Sequence, residues 1–422
     1  MGGKKFFLQT FGCQMNVYDG QRISGMLGAM GLGRAESVAD ADIIILNTCS
    51  VREKATNKVF SALGRIRDAK KPSALFGIVG CAARESGADA FKRIPELNFV
   101  LGPQSYHKLP LVLENPDARH LCVDLSGLEK FDEMVPMAEA GPIAHIPIQE
   151  GCGHCCSYCI VPFTRGPELS RPFADVMSDA ARAAGLGAVE ICFLGQNVNG
   201  YAGGRLADLI RETAKLDGVK RIRYASSHPG EMTDDLIALH GSEPKLLPFL
   251  NLPLQSGSPE ILRAMGRPYG IGEYMGIIAR LRAARSDIQI SSDFIVGFPG
   301  ETDSDFEMTC AAAREAGFIN SYSFKYSRRP HTAAAAIDRL QAMNSPSARV
   351  AAVRRAVIAQ RLVRTLCAGC GGSGCDRCSG TGYYGRTVIA EIITVDTPLA
   401  DRLSQGIPPE SLRVLLNQQN HA

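Results

Sequence analysis

Residues 151–166 read GCGHCCSYCIVPFTRG and place four cysteines within eight consecutive positions. Three of them, Cys152, Cys156 and Cys159, follow the spacing C-x3-C-x2-C, and the fourth falls outside it. A [4Fe–4S] cluster is usually held by four thiolates, so three cysteines leave one iron without a protein ligand. Structural zinc is the alternative, but it requires four ligands, and His154 would have to join from an adjacent position. The loop therefore favours a cluster with one open iron, where a substrate or cofactor can bind.

The composition of the whole chain limits its compartment and partners. With 422 residues the chain is too long for one ordinary core, so we expect two or three domains. A formal net charge of +3 is too small to indicate a nucleic-acid partner by itself. The start of the chain has no long apolar run, and no stretch approaches the length of a membrane span. We therefore expect a cytoplasmic protein without a membrane anchor, in which 14 cysteines indicate metal binding rather than disulfides.

The region up to about residue 120 has the pattern of a parallel sheet. Strands are predicted at KKFFLQTFGC, ADIIILNTC and SALFGIVGC, with helices between them at residues 17–31 and 51–71. Each predicted strand ends on a cysteine, and these are Cys13, Cys49 and Cys81. Because parallel strands end along one edge of a sheet, the three distant thiols are expected to meet there. The alternative is that each is a small buried hydrophobic residue.

From residue 140 to about 332, after a linker predicted at 120–140, strands and helices alternate again. About six β/α units can be counted, fewer than the eight of a closed barrel. The predicted fold class is α/β, with an N-terminal βαβ parallel-sheet domain, an open partial (βα)6 barrel and a small tail. The polar and glycine-rich loops are expected at the carboxyl ends of the barrel strands, where barrel enzymes keep their active sites.

Ten motifs in combination resemble the radical S-adenosylmethionine (SAM) methylthiotransferase family. They span about residues 5–337 and read TFGCQMN, LNTCSVREKA, VGCAA, GCGHCCSYCIVPFTRG, SRPFADV, LGQNVNGY, SSHPGEMTDDLI, LPLQSGS, QISSDFIVGFPGET and YSFKYSRRPHTAAA. The resemblance implies that the barrel is a radical SAM core whose [4Fe–4S] cluster binds the amino and carboxylate groups of SAM. Tyr158 fills the place of the aromatic residue that the superfamily has before its third cysteine.

The same resemblance assigns further residues to cofactors. It implies a second [4Fe–4S] cluster on the N-terminal domain, and the matching positions are Cys13, Cys49 and Cys81. That cluster is expected to hold or receive the sulfur that is inserted into the substrate. The cofactor-binding residues implied by the motifs are Tyr158, Gln196 and Asn197. A low-potential electron donor such as flavodoxin or ferredoxin is implied as a partner, and the chain is expected to be a monomer.

The branch of the family decides the expected substrate. After its first cysteine the chain has Gln14, Met15 and Asn16, the form typical of the branch that modifies tRNA. The resemblance then implies that a CH3–S group replaces the hydrogen at carbon 2 of isopentenyladenosine at position 37, in the anticodon stem-loop. The alternatives are a ribosomal-protein methylthiotransferase and a catalytically impaired iron–sulfur or zinc interaction protein.

Several other side chains in predicted loops or apolar runs could either bind a ligand or have an ordinary structural role, as a surface charge or in packing. Four arginines could contact RNA phosphate or be solvated surface charges, and they are Arg165, Arg171, Arg328 and Arg329. His228 lies at a predicted strand end and could contact SAM or RNA. Packing roles are expected for Cys122, Cys192 and Cys310, and Cys155 is expected to point away from the cluster. Two residues depart from the family pattern, Asn251 in place of histidine and Arg84 in place of glutamine.

The tail differs from the small RNA-binding barrel, called TRAM, with which this family usually ends. Its four cysteines, Cys367, Cys370, Cys375 and Cys378, form two C-x2-C pairs that could hold one zinc ion. The surrounding stretch resembles the carboxyl-terminal part of type II secretion and pilus-assembly ATPases, although the chain has no G-x4-GK[ST] phosphate loop. The predicted domains are residues 4–120, 138–335 and 345–422.

Overall fold

A computed structural model describes residues 3–50, 63–125, 131 and 140–335, and the backbone of two further strands at 356–366 and 383–394. Within these residues the predicted α/β architecture is confirmed, with one parallel sheet followed by an open barrel. The helix predicted at 51–71 falls within the described residues only from position 63, and residues 63–69 are helical.

The amino-terminal unit contains a six-stranded sheet with the order β2-β1-β3-β4-β5-β6. Every neighbouring pair in it is parallel. The strands are β1 (Lys5–Thr10), β2 (Gly33–Arg34), β3 (Ile43–Thr48), β4 (Leu75–Gly80), β5 (Phe99–Leu101) and β6 (His120–Cys122). The helices are α1 (Gln14–Ala29), α2 (Cys81–Ser86), α3 (Asp89–Arg93) and α4 (Leu109–Glu114). All six residues of β3 are buried, as expected for a central strand covered on both faces.

The sheet is wider than the sequence pattern predicts, and the start of the predicted linker belongs to it. Residues 120–122 form β6, whose backbone pairs with β5, so the linker prediction is wrong at these positions. Three residues are too few to display an alternation of apolar and polar side chains. Backbone pairing with a neighbouring strand therefore decides the structure of this segment.

The second unit is a partial barrel built from six parallel strands. They lie in two sheets with the orders β11-β10-β7 and β12-β13-β14, and an isolated bridge between Ile222 and Leu246 continues from β11 toward the second sheet. The strands are β7 (Ile143–Pro147), β10 (Glu190–Leu194), β11 (Arg221–Tyr224), β12 (Phe249–Asn251), β13 (Gln289–Val296) and β14 (Asn320–Lys325). Among the described residues β7 and β14 do not pair with each other, so the predicted open (βα)6 barrel is confirmed.

Helices cover the barrel strands and share their apolar core. They are α6 (Phe173–Gly185), α7 (Leu206–Ala214), α8 (Asp234–Ser242), α9 (Pro259–Ala264), α10 (Ile271–Ala284) and α11 (Asp303–Ala316), whereas the short α5 (Val161–Thr164) lies within the cysteine loop. Two short strands, β8 (Gln149–Glu150) and β9 (Leu169–Ser170), pair antiparallel on either side of the cysteine loop. This pairing closes the base of the loop and fixes where it begins and ends.

The two units pack together through α1. Met15 and Tyr18 on α1 form a buried cluster with Cys192 and Leu194 of β10. Cys192 is fully buried there, which confirms the packing role expected for it. The Arg84 side chain of α2 also crosses between the units, because its Nε donates to the Phe163 carbonyl oxygen at 3.3 Å.

The tail contributes an antiparallel pair, β15 (Ala356–Leu366) and β16 (Tyr383–Thr394). The four cysteines predicted to bind zinc lie between these strands and outside the described residues. In the part of the chain that the structure describes, no helix has the length and apolar character needed to cross a membrane.

Buried His240 on α8 is expected to make the fold sensitive to mild acid. Its Nε2 lies 2.7 Å from the Tyr224 hydroxyl, and burial, with the nearby Arg285 guanidinium, lowers its pKa from 6.5 to about 4. The unfolded chain therefore takes up a proton that the native state does not, and stability falls by about 3 kcal/mol between about pH 7 and about pH 4, with about 2 kcal/mol of the loss above pH 5. We expect His240→Gln to flatten this loss, measured as the midpoint of urea unfolding between pH 7.5 and 5. Identical pH dependence in the variant and the parent would contradict this assignment.

Candidate functional site

The cysteine loop is anchored at both ends and at its centre. Gly151 opens the loop, and its N–H donates to Gln196 Oε1 at 2.6 Å. At the centre, Ser157 donates from its backbone N to the Met265 carbonyl oxygen at 3.1 Å and from its hydroxyl to the Ala264 carbonyl oxygen at 2.9 Å. These bonds tie the loop to the end of α9, so the three spaced cysteines are held at the carboxyl end of the barrel strands.

The three spaced thiols form one electrostatic group. Burial, together with the charge on Cys156, raises the pKa of Cys159 to about 12, and burial raises that of Cys152 to about 11. Thiols with such pKa values become thiolates at neutral pH only beside a strong positive charge, which a metal centre supplies. Three thiols spaced along one loop are a donor set that fits a metal cluster. Cys155 is exposed, whereas the three spaced cysteines are partly buried.

Arg267 lies beside this loop and donates toward one of its sulfurs. Its Nη1 lies 3.6 Å from Cys156 Sγ, while its Nε donates to the Tyr269 hydroxyl at 2.7 Å. The other terminal nitrogen of the guanidinium, Nη2, donates to the Pro253 carbonyl oxygen at 3.1 Å. The guanidinium is thus fixed by two other partners, and it adds a positive charge next to the thiol group.

The other three predicted ligands meet at the carboxyl edge of the amino-terminal sheet. Cys13 caps α1 after β1, Cys49 follows β3, and Cys81 begins α2 after β4. A hydrogen bond from the Cys49 thiol is the largest of the effects that lower the pKa of Cys13 to about 6. The charge on Cys13 in turn acts on Cys81. The edge therefore assembles three thiols from distant segments, as the strand-end pattern predicts.

Gly12 allows the closest of these approaches. Its φ is +120°, and a Cβ built there would lie 2.3 Å from Cys49 Cβ and 3.0 Å from Cys49 Sγ. A larger residue at this position would overlap the Cys49 side chain and displace it. The turn after β1 is consequently shaped to bring the two thiols together.

The residues predicted to bind cofactor have different surroundings. Tyr158 is partly buried and packs on an apolar cluster that includes Ile261 and Phe298. Gln196 holds the Gly151 N–H at the start of the cysteine loop. Asn197 is buried, and its Nδ2 donates to Glu231 Oε2 at 2.7 Å. Among the described residues its Oδ1 has no hydrogen-bond partner, so Asn197 offers an acceptor to a bound molecule.

A polar cluster next to the cysteine loop contains one residue that sequence reasoning missed. His154 Nε2 lies 2.7 Å from Glu231 Oε1, and the rings of His154 and His228 stack with centroids 3.9 Å apart. His228 is 6% exposed, and neither ring nitrogen has a partner within the described part of the chain. Burial lowers the pKa of His228 to about 2, so its ring is neutral. The signal for Glu231 is its position three residues after His228, in the short turn 229–231 that follows β11.

Cation binding by this cluster is disfavoured by the ring geometry. Ligand atoms of His154, His228 and Glu231 all lie within 4.8 Å of one another. The two imidazole planes, however, are parallel to within 11°. Because ring-nitrogen lone pairs lie in the ring plane, two stacked rings direct them along separate parallel planes rather than at one ion. The alternative of a zinc site completed by His154 is weakened further, because His154 pairs with Glu231.

Two of the arginines predicted to face phosphate or solvent do neither. Arg165 is 2% exposed and pairs with Asp19 and Glu150. Arg171 is 6% exposed, donates to the Pro147 carbonyl oxygen at 2.8 Å and pairs with Asp179. Both readings are therefore wrong for these two residues, because each guanidinium has buried protein partners. Arg328 is exposed and Arg329 is partly buried.

The two departures from the family pattern also have structural partners. Asn251 Nδ2 donates to Ser291 Oγ at 3.1 Å, within the paired strands β12 and β13. Arg84 places its guanidinium 5.5 Å from the centre of the Phe163 ring, in addition to its bond to that residue's carbonyl oxygen. Arg84 thus contributes to the contact between the two units.

Three family models match successive parts of the chain. Residues 5–102 match the uncharacterized protein family UPF0004, and residues 146–313 match the radical SAM superfamily. Residues 330–418 match the type II/IV secretion system protein family, in agreement with the resemblance seen in the tail. About two thirds of the last match falls outside the described residues.

Curated relatives match most of the chain at high identity. A tRNA-2-methylthio-N(6)-dimethylallyladenosine synthase from Cereibacter sphaeroides is 50% identical over 340 residues, which cover 79% of this chain and 78% of the relative. The enzyme of the same name from Sphingopyxis alaskensis is 47% identical over 345 residues, with the same coverage of both chains.

Solved structures share the fold at low identity. The radical SAM methyltransferase TsrM from Kitasatospora setae, with cobalamin and a [4Fe–4S] cluster bound, has a TM-score of 0.58 and 14% identity, covering 85% of this chain and 81% of TsrM. The cobalamin-dependent radical SAM enzyme OxsB has a TM-score of 0.56 and 10% identity, covering 95% of this chain and 66% of OxsB. These likenesses concern the fold alone.

Proposed function

We propose a function from the premise that this chain belongs to the family of tRNA-2-methylthio-N(6)-dimethylallyladenosine synthases and is a radical SAM tRNA methylthiotransferase. The proposed reaction replaces the hydrogen at carbon 2 of isopentenyladenosine, at position 37 of the tRNA anticodon stem-loop, with a CH3–S group. The observation that carries the proposal is the loop of three spaced, partly buried thiols at the carboxyl end of the barrel strands. Three protein ligands leave one iron of a [4Fe–4S] cluster for SAM.

The residues of the barrel loop would hold and surround this cofactor pair. Cys152, Cys156 and Cys159 are the proposed ligands, and Arg267 directs an N–H at the Cys156 sulfur. When bound, a [4Fe–4S] cluster supplies the electron that cleaves SAM to a 5′-deoxyadenosyl radical. Gln196 keeps the start of the loop in place through its bond to Gly151. This bond ties the start of the cysteine loop to the loop that follows β10.

The polar cluster beside the loop supplies groups for SAM or the target base. His228 can donate or accept a hydrogen bond without carrying charge, because its pKa is about 2. Asn197 offers its Oδ1 as an acceptor, and Glu231 holds the Asn197 amide and His154 in position. These residues are proposed to orient a polar, uncharged part of the bound molecule, such as a ribose or a purine edge.

Cys13, Cys49 and Cys81 are proposed to hold a second [4Fe–4S] cluster, which receives the sulfur for insertion. Their convergence on one sheet edge and the room that Gly12 leaves for Cys49 support this assignment. A low-potential donor such as flavodoxin or ferredoxin is proposed to provide electrons, and the enzyme is proposed to act as a cytoplasmic monomer. The proposed domains are residues 138–335, residues 345–422 and an amino-terminal domain that continues past the predicted end at residue 120 to Cys122, because β6 pairs with β5.

The proposed substrate is tested by mass spectrometry of tRNA nucleosides. Cells that lack the gene are expected to accumulate isopentenyladenosine, and restoring the gene should return the 2-methylthio derivative. Unchanged tRNA nucleosides together with a mass change in a ribosomal protein would instead support the ribosomal-protein alternative. A chain that holds iron but does not cleave SAM under reducing conditions would support the interaction-protein alternative.

Removal of residues 366–422 is expected to leave tRNA binding nearly unchanged. The predicted zinc set Cys367, Cys370, Cys375 and Cys378 would have no open position, so it serves the fold of its own segment. The dissociation constant should therefore change by less than about twofold, which is well below the tenfold that corresponds to 1.4 kcal/mol. Filter binding at several salt concentrations measures this. Loss of most of the affinity would show that the tail itself binds tRNA.

A further inference from the structure

Arg165 connects the loop of one proposed cluster to a ligand of the other. It lies in the cysteine loop after Cys159, is 2% exposed, and donates from Nε to Cys81 Sγ at 3.3 Å. We propose that Arg165 is a positioning residue that raises the reduction potential of the amino-terminal cluster by holding a fixed N–H donor on the Cys81 sulfur. The inference rests on the proposed function, which places a cluster ligand at Cys81.

The direction of this donor is set by two buried carboxylates. Arg165 Nη1 donates to Glu150 Oε1 at 2.5 Å, and Nη2 donates to Asp19 Oδ2 at 3.1 Å. Because the guanidinium is planar and rigid, anchoring both Nη atoms also fixes the line of the Nε–H bond. The hydrogen bond from Nε to the Cys81 sulfur is therefore made in addition to the two ion pairs, and its direction is fixed.

The partners of Arg165 are themselves held from both units. Asp19 Oδ2 also accepts from the Tyr106 hydroxyl at 3.3 Å, and Gln104 Nε2 donates to the Arg165 carbonyl oxygen at 2.9 Å. Asp19 and Glu150 are 1% and 0% exposed. Rotation of the guanidinium away from Cys81 would leave these buried carboxylates without their cation, which is strongly unfavourable.

A fixed N–H on a ligand sulfur favours the cluster state that has one more electron. The added electron increases negative charge on the sulfurs, and hydrogen bonds to cluster sulfurs raise the potential for that reason. The proposed effect comes from the hydrogen bond and not from net charge, because Asp19 and Glu150 together outweigh the single charge of Arg165. The step is a one-electron reduction by an external low-potential donor. No bond breaks in it, and Arg165 keeps its proton.

The test isolates the amino-terminal cluster in the full-length chain. In a background of C152A, C156A and C159A, the reconstituted protein should hold one cluster of about four irons. Dithionite titration followed by electron paramagnetic resonance then gives its midpoint potential. R165K keeps the charge but replaces the rigid fork with a flexible amine, and the double variant R165Q/E150Q keeps the net charge of the pocket without any donor from residue 165.

A matched control uses the other arginine that joins the two units. Arg84 lies on the same helix as Cys81, and its guanidinium donates to the carbonyl oxygens of Val123 and Phe163. At a fixed applied potential, R84K should therefore change the ratio of reduced to oxidised cluster by less than about twofold. R165K and R165Q/E150Q should each lower that ratio at least tenfold at a fixed potential, which is about 59 mV for one electron.

The outcomes separate this inference from the proposed function. If the variants hold their iron and both Arg165 variants titrate like R84K, Arg165 does not tune the cluster, and the cluster assignment stands. If the background chain holds no iron, the amino-terminal cluster is absent and both proposals fail. Iron content and the circular dichroism spectrum of each variant guard the test against poor folding, because R165Q/E150Q leaves the buried Asp19 carboxylate without its cation.

Discussion

Joint replacement of Cys152, Cys156 and Cys159 by alanine is expected to abolish SAM cleavage and to remove about half of the iron. Two [4Fe–4S] clusters would contribute about eight irons per chain, so losing one leaves about four. Cleavage requires the open iron that binds SAM, and without the loop thiolates that iron is not held. Iron analysis after anaerobic reconstitution and chromatographic detection of 5′-deoxyadenosine measure the two effects.

The companion variant distinguishes the two sites. Joint replacement of Cys13, Cys49 and Cys81 should also remove about half of the iron, because one cluster of about four is lost. SAM cleavage should remain measurable, since these thiols lie on the edge of the other sheet and not in the SAM loop. If this variant keeps all of its iron, the second cluster is assigned to the wrong residues.

Gly151→Ala is expected to give the second large effect. Gly151 has φ +77°, and a Cβ there would lie 1.9 Å from the Pro167 carbonyl oxygen and 2.6 Å from that of Gly166. A left-handed backbone and a forced overlap together should lower the free energy of unfolding by about 3 kcal/mol. The loop must also move at its first residue, so we expect at least a tenfold loss of SAM cleavage.

Gly276→Ala is the matched control for this substitution. Gly276 is an exposed residue inside α10, and a Cβ there meets no atom within 4 Å. Alanine should stabilise the helix by about 1 kcal/mol and leave SAM cleavage unchanged. Urea unfolding and 5′-deoxyadenosine formation are measured for both variants. Equal behaviour of the two alanine variants would mean that the turn at Gly151 tolerates rearrangement.

The strand-end cysteines were predictable because their positions follow from local rules. The apolar run IIILNT before Cys49 indicates a buried parallel strand and the edge where that strand ends. Similar strand patterns precede Cys13 and Cys81. The open barrel was predictable for the same reason, since its β/α units could be counted. In both cases the periodicity within a few residues carries the information.

Sequence reasoning misplaced Arg165 and Arg171 and missed Glu231. The environments of all three residues depend on segments that are distant in the sequence. Arg165 meets Asp19 from 146 positions away, and Glu231 meets His154 across 77 positions. Residue type and sequence neighbours give no sign of these distant partners. The short strand β6 was missed for a related reason, since only its pairing with β5 identifies it.

The buried Arg165 network has a consequence for dissecting the chain into fragments. Asp19 belongs to the amino-terminal unit, whereas Glu150 and Arg165 belong to the barrel, so each fragment alone would lose part of the charge balance. An isolated amino-terminal fragment would carry the Asp19 carboxylate without its cation, and the barrel fragment would expose the apolar patch on β10 that α1 covers. Uncompensated buried charge and exposed apolar surface both favour aggregation or partial unfolding. The two halves are therefore best regarded as one cooperative folding unit rather than as independent modules.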